Sequence, residues 1–172
     1  VYVIQFMKGG SYTGELISIK QFLPNAEIVQ FGKGCIKDNT QLKLMDFSKF
    51  EEKPETWHRE DIECGECRHC FANDDEHTLF VGDAVAHAKK VISSGDYDMV
   101  VLDELNCAVN FKMLDIEQAK ELIKAKHPST ELIVTGRNAH IEIIKLADLV
   151  TEMKQVKHYF DDGVMARRGI EY

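Results

Sequence analysis

Short blocks of apolar residues, each closed by glycine, proline or an acid, alternate along this chain with stretches whose apolar residues recur every three or four positions. Val1-Tyr2-Val3-Ile4-Gln5-Phe6 is the first block. Its β-branched and aromatic run predicts a buried strand, broken by Lys8-Gly9-Gly10. Residues 13–23 carry Leu16, Ile19, Phe22 and Leu23 at helical spacing, and Pro24-Asn25 ends that helix. Residues 27–31 predict a second short strand, followed by Gly32-Lys33-Gly34. Residues 83–92 predict a helix with Val81, Val85, Ala88 and Val91 or Ile92 on one side, closed by Ser93-Ser94-Gly95-Asp96. Residues 98–103 predict a continuous apolar strand ending in an acid, and residues 114–126 an amphipathic helix stopped by His127-Pro128. A buried strand over 131–135, a helix over 139–146 and a last strand over 147–153 complete the pattern.

Strands thus alternate with helices, and they are apolar throughout rather than at every second position. This is the signature of an α/β fold with a mainly parallel sheet covered by helices on both faces. The 172 residues suffice for one such domain, expected over 1–172. From about 35 to 78 the periodicity lapses into a charged stretch that holds most of the cysteines, expected as an insertion or lid within the domain. The chain opens inside a strand, so the natural N-terminus is expected upstream of Val1.

A net charge of -8 argues against a nucleic-acid surface, which is normally basic. There is no apolar run long enough to span a membrane and no basic-then-apolar leader, so the expected location is the cytoplasm. The cysteines are Cys35, Cys64, Cys67, Cys70 and Cys107. An odd number, with three in seven residues, points to a metal site rather than a disulfide framework. In Cys64-Gly65-Glu66-Cys67-Arg68-His69-Cys70 the spacing lets three thiolates converge on one ion. Three cysteines favour zinc, with Cys35, His77, His69 or His58 in range as the fourth ligand. The expected role is a staple for a loop that lacks its own core. An iron–sulfur cluster, usually held by a fourth cysteine, and plain reduced thiols are the alternatives.

Met99-Val100-Val101-Leu102-Asp103-Glu104 has the form of a Walker B strand, with four apolar residues delivering a carboxylate to the strand's C-terminal end. In an open parallel sheet, ligands bind there. Asp103 and Glu104 are the candidate catalytic pair, placed to hold Mg²⁺ (or Mn²⁺) directly or through water and so to neutralise a triphosphate. The usual partner is a phosphate-cradling loop, G-x-x-x-x-G-K-[ST]. Gly32-Lys33-Gly34-Cys35 is a poor substitute, and that loop is expected ahead of the opening strand.

Tyr97-Asp98-Met99-Val100-Val101-Leu102-Asp103-Glu104-Leu105-Asn106 closely resembles the Y-D-x-V-V-L-D-E-L-N segment of the ATP:corrinoid adenosyltransferases. Val134-Thr135-Gly136-Arg137-Asn138-Ala139 resembles their V/L-T-G-R-x-A segment, and Gln5-Phe6-Met7-Lys8-Gly9 their Q-F-x-K-G. Residues 147–153, Val156-Lys157-His158, Phe160, Gly163-Val164 and Arg168-Gly169-Ile170-Glu171-Tyr172 continue the match in order. The resemblance implies a RecA-like P-loop fold, a homodimer, and ATP and a reduced corrinoid as substrates. Cobalt in the Co(I) state would attack the 5′ carbon of ATP and inorganic triphosphate would leave. An electron-donor reductase such as a flavoprotein is an implied partner. Lys8 and Arg137, each just past a strand's C-terminal end, are candidate phosphate or nucleotide contacts. Asn106 is a further candidate there, although its place after the acidic pair also suits capping of the next helix.

One departure stands out. Common bacterial members carry Gly-Phe-Thr-Trp after the second strand, and those aromatics displace the corrinoid's lower ligand. Here the place reads Gly32-Lys33-Gly34-Cys35-Ile36, leaving Phe47, Phe50, Trp57 or Phe71 as replacements. Two competing readings are an ordinary P-loop ATPase that hydrolyses at the γ-phosphate, and a nucleotide-dependent corrinoid-binding module without chemistry.

Overall fold

The structure, a computed structural model, describes residues 1–9, 14–33, 75–165, 167 and 170. Four strands form one sheet: β1 (Tyr2–Phe6), β2 (Glu27–Phe31), β3 (Met99–Asp103) and β4 (Glu131–Val134). Their order across the sheet is β2-β1-β3-β4, and every pairing is parallel. The α/β expectation with a parallel sheet therefore holds. Parallel strands need crossover connections, and helices supply them: α1 (Gly14–Phe22) joins β1 to β2, α2 (Asp75–Ser94) leads into β3, and α3 (Leu105–Asn110) and α4 (Ile116–Lys124) lie between β3 and β4. Helix α5 (Ile141–Leu146) follows β4, and a single 3₁₀ turn, Tyr159–Asp162, lies near the end.

The core forms where the two central strands meet the helices. Ile4 and Phe6 of β1 and Val100 and Leu102 of β3 are fully buried. Helix α2 presents Val81, Ala84, Ala88 and Ile92 at intervals of three or four residues, which makes one continuous stripe. The small Ala84 and Ala88 let its backbone approach the sheet closely. Ala119 and Leu122 of α4 and Ile143 of α5 extend the same core. Asp115 starts α4, its carboxylate accepting from the Glu117 N–H while the Gln118 side chain accepts from the Asp115 N–H.

Three sequence expectations are corrected. Helix α2 begins at Asp75 rather than 83. The six-residue α3 was not anticipated; five of its residues are buried, so it carries no amphipathic pattern to read. Residues 147–153 are not a strand. Their apolar residues face outward, with Leu149 85% and Met153 92% exposed. A strand exists only by pairing, and among the described residues β4 has no neighbour on its outer side. Residues 34–74 lie outside the described part, and with them the expectations for the 35–78 segment up to residue 74 and for the aromatic replacements. Among the described residues, no helix is long and apolar enough to cross a membrane.

Candidate functional site

The parallel register brings one row of polar side chains together at the C-terminal ends of the strands. Gln30 of β2 is opposite Gln5 of β1, and Gln5 is opposite Asp103 of β3. Thr135 continues the row just beyond β4, its N–H donating to the Leu102 carbonyl. Residues in register across a sheet share a face, and these four are linked in sequence. The Gln30 amide donates to Gln5 Oε1 at 2.8 Å, Gln5 Nε2 donates to Asp103 Oδ2 at 2.9 Å, and the Thr135 hydroxyl donates to Asp103 Oδ1 at 2.7 Å. Gln5 is only 1% exposed. Such burial of a primary amide is costly unless it is bonded, and here its donors face two carboxylates.

The second carboxylate is Glu15 of α1. Gln5 Nε2 donates to Glu15 Oε1 at 3.1 Å, and the Lys8 ammonium bridges Glu15 Oε1 at 3.1 Å and Asp103 Oδ2 at 3.0 Å. Lys8 therefore stands beside Asp103. Burial alone would lower its pKa, but the charges of Asp103 and Glu15 and their hydrogen bonds outweigh that and raise it. Burial would raise the Glu15 pKa, but hydrogen bonds from Gln5 and the backbone and the Lys8 charge lower it on balance. The glycines of the two adjoining loops make this approach possible. A Cβ on Gly9 would lie inside the Gly32 carbonyl, and one on Gly32 would press on the Lys8 backbone.

Glu104 follows Asp103 in the left-handed region, with φ 63° and ψ 17°. Its N–H donates to Thr135 Oγ1 at 3.1 Å, and its carboxylate lies near the Cys107 thiol. Burial, followed by that contact with Glu104, pushes the Cys107 thiol up. Met7 and Asn138 also have positive φ, so three of the four such non-glycine residues among the described residues cluster at this edge of the sheet. Backbone held in this region by its surroundings is a recurrent feature of functional sites.

Asn106 does not cap α3. Glu104 occupies the cap position, and Asn106 lies one residue inside the helix, 5% exposed. Its Nδ2 donates to the Gly136 carbonyl at 3.4 Å, and its buried Oδ1 has no partner among the described residues. Arg137 is on the loop after β4. Its N–H donates to Cys107 Sγ at 3.3 Å, and its side chain is exposed at the same edge as Lys8. Cys35, Cys64, Cys67, Cys70 and the His77 side chain lie outside the described residues. Among the described residues no group of three His, Cys, Asp or Glu side chains could hold a metal by itself.

Sequence reasoning singled out Asp103, Glu104 and Lys8 as candidates and did not single out Gln5, Gln30, Glu15 and Thr135, which the structure brings beside them. The available signal was a polar residue at or near the C-terminal end of each apolar block: Gln5, Gln30, Asp103 and Thr135.

The family described as ATP:corrinoid adenosyltransferase BtuR/CobO/CobP matches residues 51–172. The chain belongs to this family. The described part of the matched segment contains Asp103, Glu104, Asn106, Thr135 and Arg137. Among its relatives, the corrinoid adenosyltransferase of Pseudomonas aeruginosa is 30% identical over 172 residues, covering all of this chain and 69% of that protein. The corrinoid adenosyltransferase of Escherichia coli is 37% identical over 100 residues, 58% of this chain and 51% of its own length. Corrinoid adenosyltransferase CobA of Salmonella typhimurium is 42% identical over 86 residues, 50% of this chain and 44% of its own. The chain thus spans about half the length of the Escherichia coli and Salmonella typhimurium relatives, and about two thirds of the Pseudomonas one.

Proposed function

We propose that this corrinoid adenosyltransferase family member transfers the 5′-deoxyadenosyl group of ATP to the Co(I) centre of a corrinoid, releasing inorganic triphosphate, in adenosylcobalamin synthesis or salvage. The observation that carries the reading is the anchored Asp103–Glu104 pair with Lys8 beside it at the C-terminal edge of a parallel sheet, in a chain of this family. Ligands of open parallel sheets bind at that edge.

The chemistry asks little of the protein in proton transfer. Co(I) supplies an electron pair to C5′, the C5′–O bond breaks, and the triphosphate leaves with the bonding pair, so cobalt ends formally as Co(III). No general base is required. What the chain must supply is orientation of the ribose carbon and stabilisation of charge on the leaving group. Lys8 is suited to the second task because its surroundings hold it charged. Arg137, exposed on the loop after β4, offers a planar guanidinium to the same group.

The residues fit a divalent cation. Asp103 Oδ1, which accepts from the Thr135 hydroxyl at 2.7 Å, and the Glu104 carboxylate are hard oxygen donors, the kind magnesium prefers. Bound by Asp103 and Glu104, magnesium or manganese would offset part of the triphosphate charge. The same reading includes a homodimer, an electron-donor reductase such as a flavoprotein, and a cytoplasmic location.

The test is transfer of label. With ATP labelled in the adenosine carbons and a chemically reduced corrinoid, label passes to the corrinoid as a light-sensitive cobalt–carbon adduct. Label found only in ADP or AMP refutes the proposal. Glu104→Ala is expected to lower the transfer at least tenfold while leaving the melting temperature close to that of the wild type.

A further inference from the structure

Thr135 contacts the acidic segment at four points. Its N–H donates to the Leu102 carbonyl at 3.1 Å, and its carbonyl accepts from the Asn106 N–H at 3.1 Å. Its hydroxyl donates to Asp103 Oδ1 at 2.7 Å and accepts from the Glu104 N–H at 3.1 Å. The two backbone bonds are what a parallel neighbour would make whatever its side chain. The two hydroxyl bonds are additional, and they join the two carboxylate-bearing residues through one oxygen.

The consequence follows from counting lone pairs. A carboxylate offers about four acceptor positions, two on each oxygen. On Asp103, Oδ2 accepts from both Gln5 and Lys8, and Oδ1 accepts from Thr135. Among the described residues one position remains open, on Oδ1, directly beside the threonine oxygen. The same hydroxyl, through the Glu104 N–H, holds that residue in its left-handed conformation, which a non-glycine residue rarely adopts unsupported.

We propose that Thr135 is a positioning residue for the carboxylate pair: its hydroxyl turns the open lone pair of Asp103 and the backbone of Glu104 toward a single cation bound with the nucleotide. This rests on the reading given under Proposed function. It adds a residue whose effect is on metal affinity, distinct from the contacts of Lys8 and Arg137 with phosphate.

Thr135→Val keeps the shape and both backbone bonds and removes only the hydroxyl. Thr135→Ser keeps the hydroxyl. The measurement is the dissociation constant of Mn²⁺ in the presence of ATP, read from the electron paramagnetic resonance signal of free Mn²⁺ with the full chain. Thr135→Val is expected to weaken Mn²⁺ at least tenfold, because a bond to a charged group is lost, and Thr135→Ser to stay within about threefold of wild type. The Mg²⁺ concentration for half-maximal turnover should shift in parallel, with the KM for corrinoid unchanged. Equal Mn²⁺ affinity in Thr135→Val and wild type overturns the proposal, as does a serine variant as weak as the valine one. Thr135→Ala provides the same comparison if valine prevents folding, and unfolding of both overturns the assignment in favour of a purely structural role. A wild-type chain that binds Mn²⁺ with ATP but transfers no adenosyl group refutes the transferase reading alone, since the variant comparison still stands. A wild type that does not bind Mn²⁺ with ATP refutes both.

Discussion

Replacing Asp103 by asparagine probes the anchoring of the site without changing its shape. In the native protein three donors converge on this carboxylate: Lys8 at 3.0 Å, Gln5 at 2.9 Å and Thr135 at 2.7 Å. The asparagine amide has only one workable orientation. Its oxygen must take the place of Oδ2, where Lys8 and Gln5 both donate, so its NH₂ faces Thr135. The threonine oxygen must then accept rather than its hydroxyl donate. Hydrogen bonds to charged groups contribute about 1.5–3 kcal/mol and neutral ones about 0.5–1.5, so neutralising the acceptor costs roughly 1 kcal/mol per bond. Part of this is recovered, because Lys8 keeps Glu15 as its partner and the Lys8–Asp103 pair is partly solvent-screened, with side chains 19% and 23% exposed. A net loss of about 2 kcal/mol is expected, equivalent to a fall in melting temperature of roughly 4–8 °C for a domain of this size. Thermal denaturation followed by circular dichroism, with urea unfolding as a check on the slope, measures it. A variant as stable as wild type, or more stable, would refute this reasoning. It would mean that repulsion among Asp103, Glu15 and Glu104 outweighs the donors around Asp103.

Three further predictions follow from the same geometry and the sequence. Glu15 has a lowered pKa in the folded state, so its contribution is fully present above the ordinary glutamate range and is lost as the pH falls through the lower folded value. The stability gap between wild type and Glu15→Gln, measured by urea unfolding across an acid pH series, should therefore close on acidification; a gap that widens contradicts the assigned bonds. Gly9→Ala should lower stability by about 1–3 kcal/mol or more, since its Cβ overlaps the Gly32 carbonyl and the two loop backbones must move apart; an unchanged melting temperature would show that the two loops do not pack as described. The Cys64, Cys67 and Cys70 run should hold one zinc ion per chain, with Cys35 or His77 as fourth ligand, in elemental analysis of protein purified without added metal; iron with sulfide, or neither metal, would refute that.

The strands were legible because each is a short apolar block with a clear stop. β2 falls on residues 27–31 as its pattern indicates. The 147–153 block shows the limit of that signal: apolar residues predispose a segment to pairing, but a strand requires an adjacent edge, and sequence does not show where edges are. The same limit hid half the site. Asp103 could be read because it ends an apolar run, and Lys8 because it follows one. Gln5, Gln30, Glu15 and Thr135 acquire meaning only once the order β2-β1-β3-β4 sets β1 against β3 and brings Thr135 alongside. Neighbours across a parallel sheet are far apart in the chain, so no local pattern announces them. Asn106 was misplaced for a related reason. The residue after an acidic pair looks like a cap, but the backbone turn at Glu104 makes that residue the cap and starts the helix two residues earlier.

The most direct test of the account follows the phosphorus. When wild-type protein converts ATP and a Co(I) corrinoid to an adenosylated product, phosphorus-31 NMR should show one intact triphosphate appearing for each cobalt–carbon bond formed. Release of orthophosphate and ADP in its place would mean that the edge around Asp103 directs attack at the γ-phosphate, and would contradict adenosyl transfer.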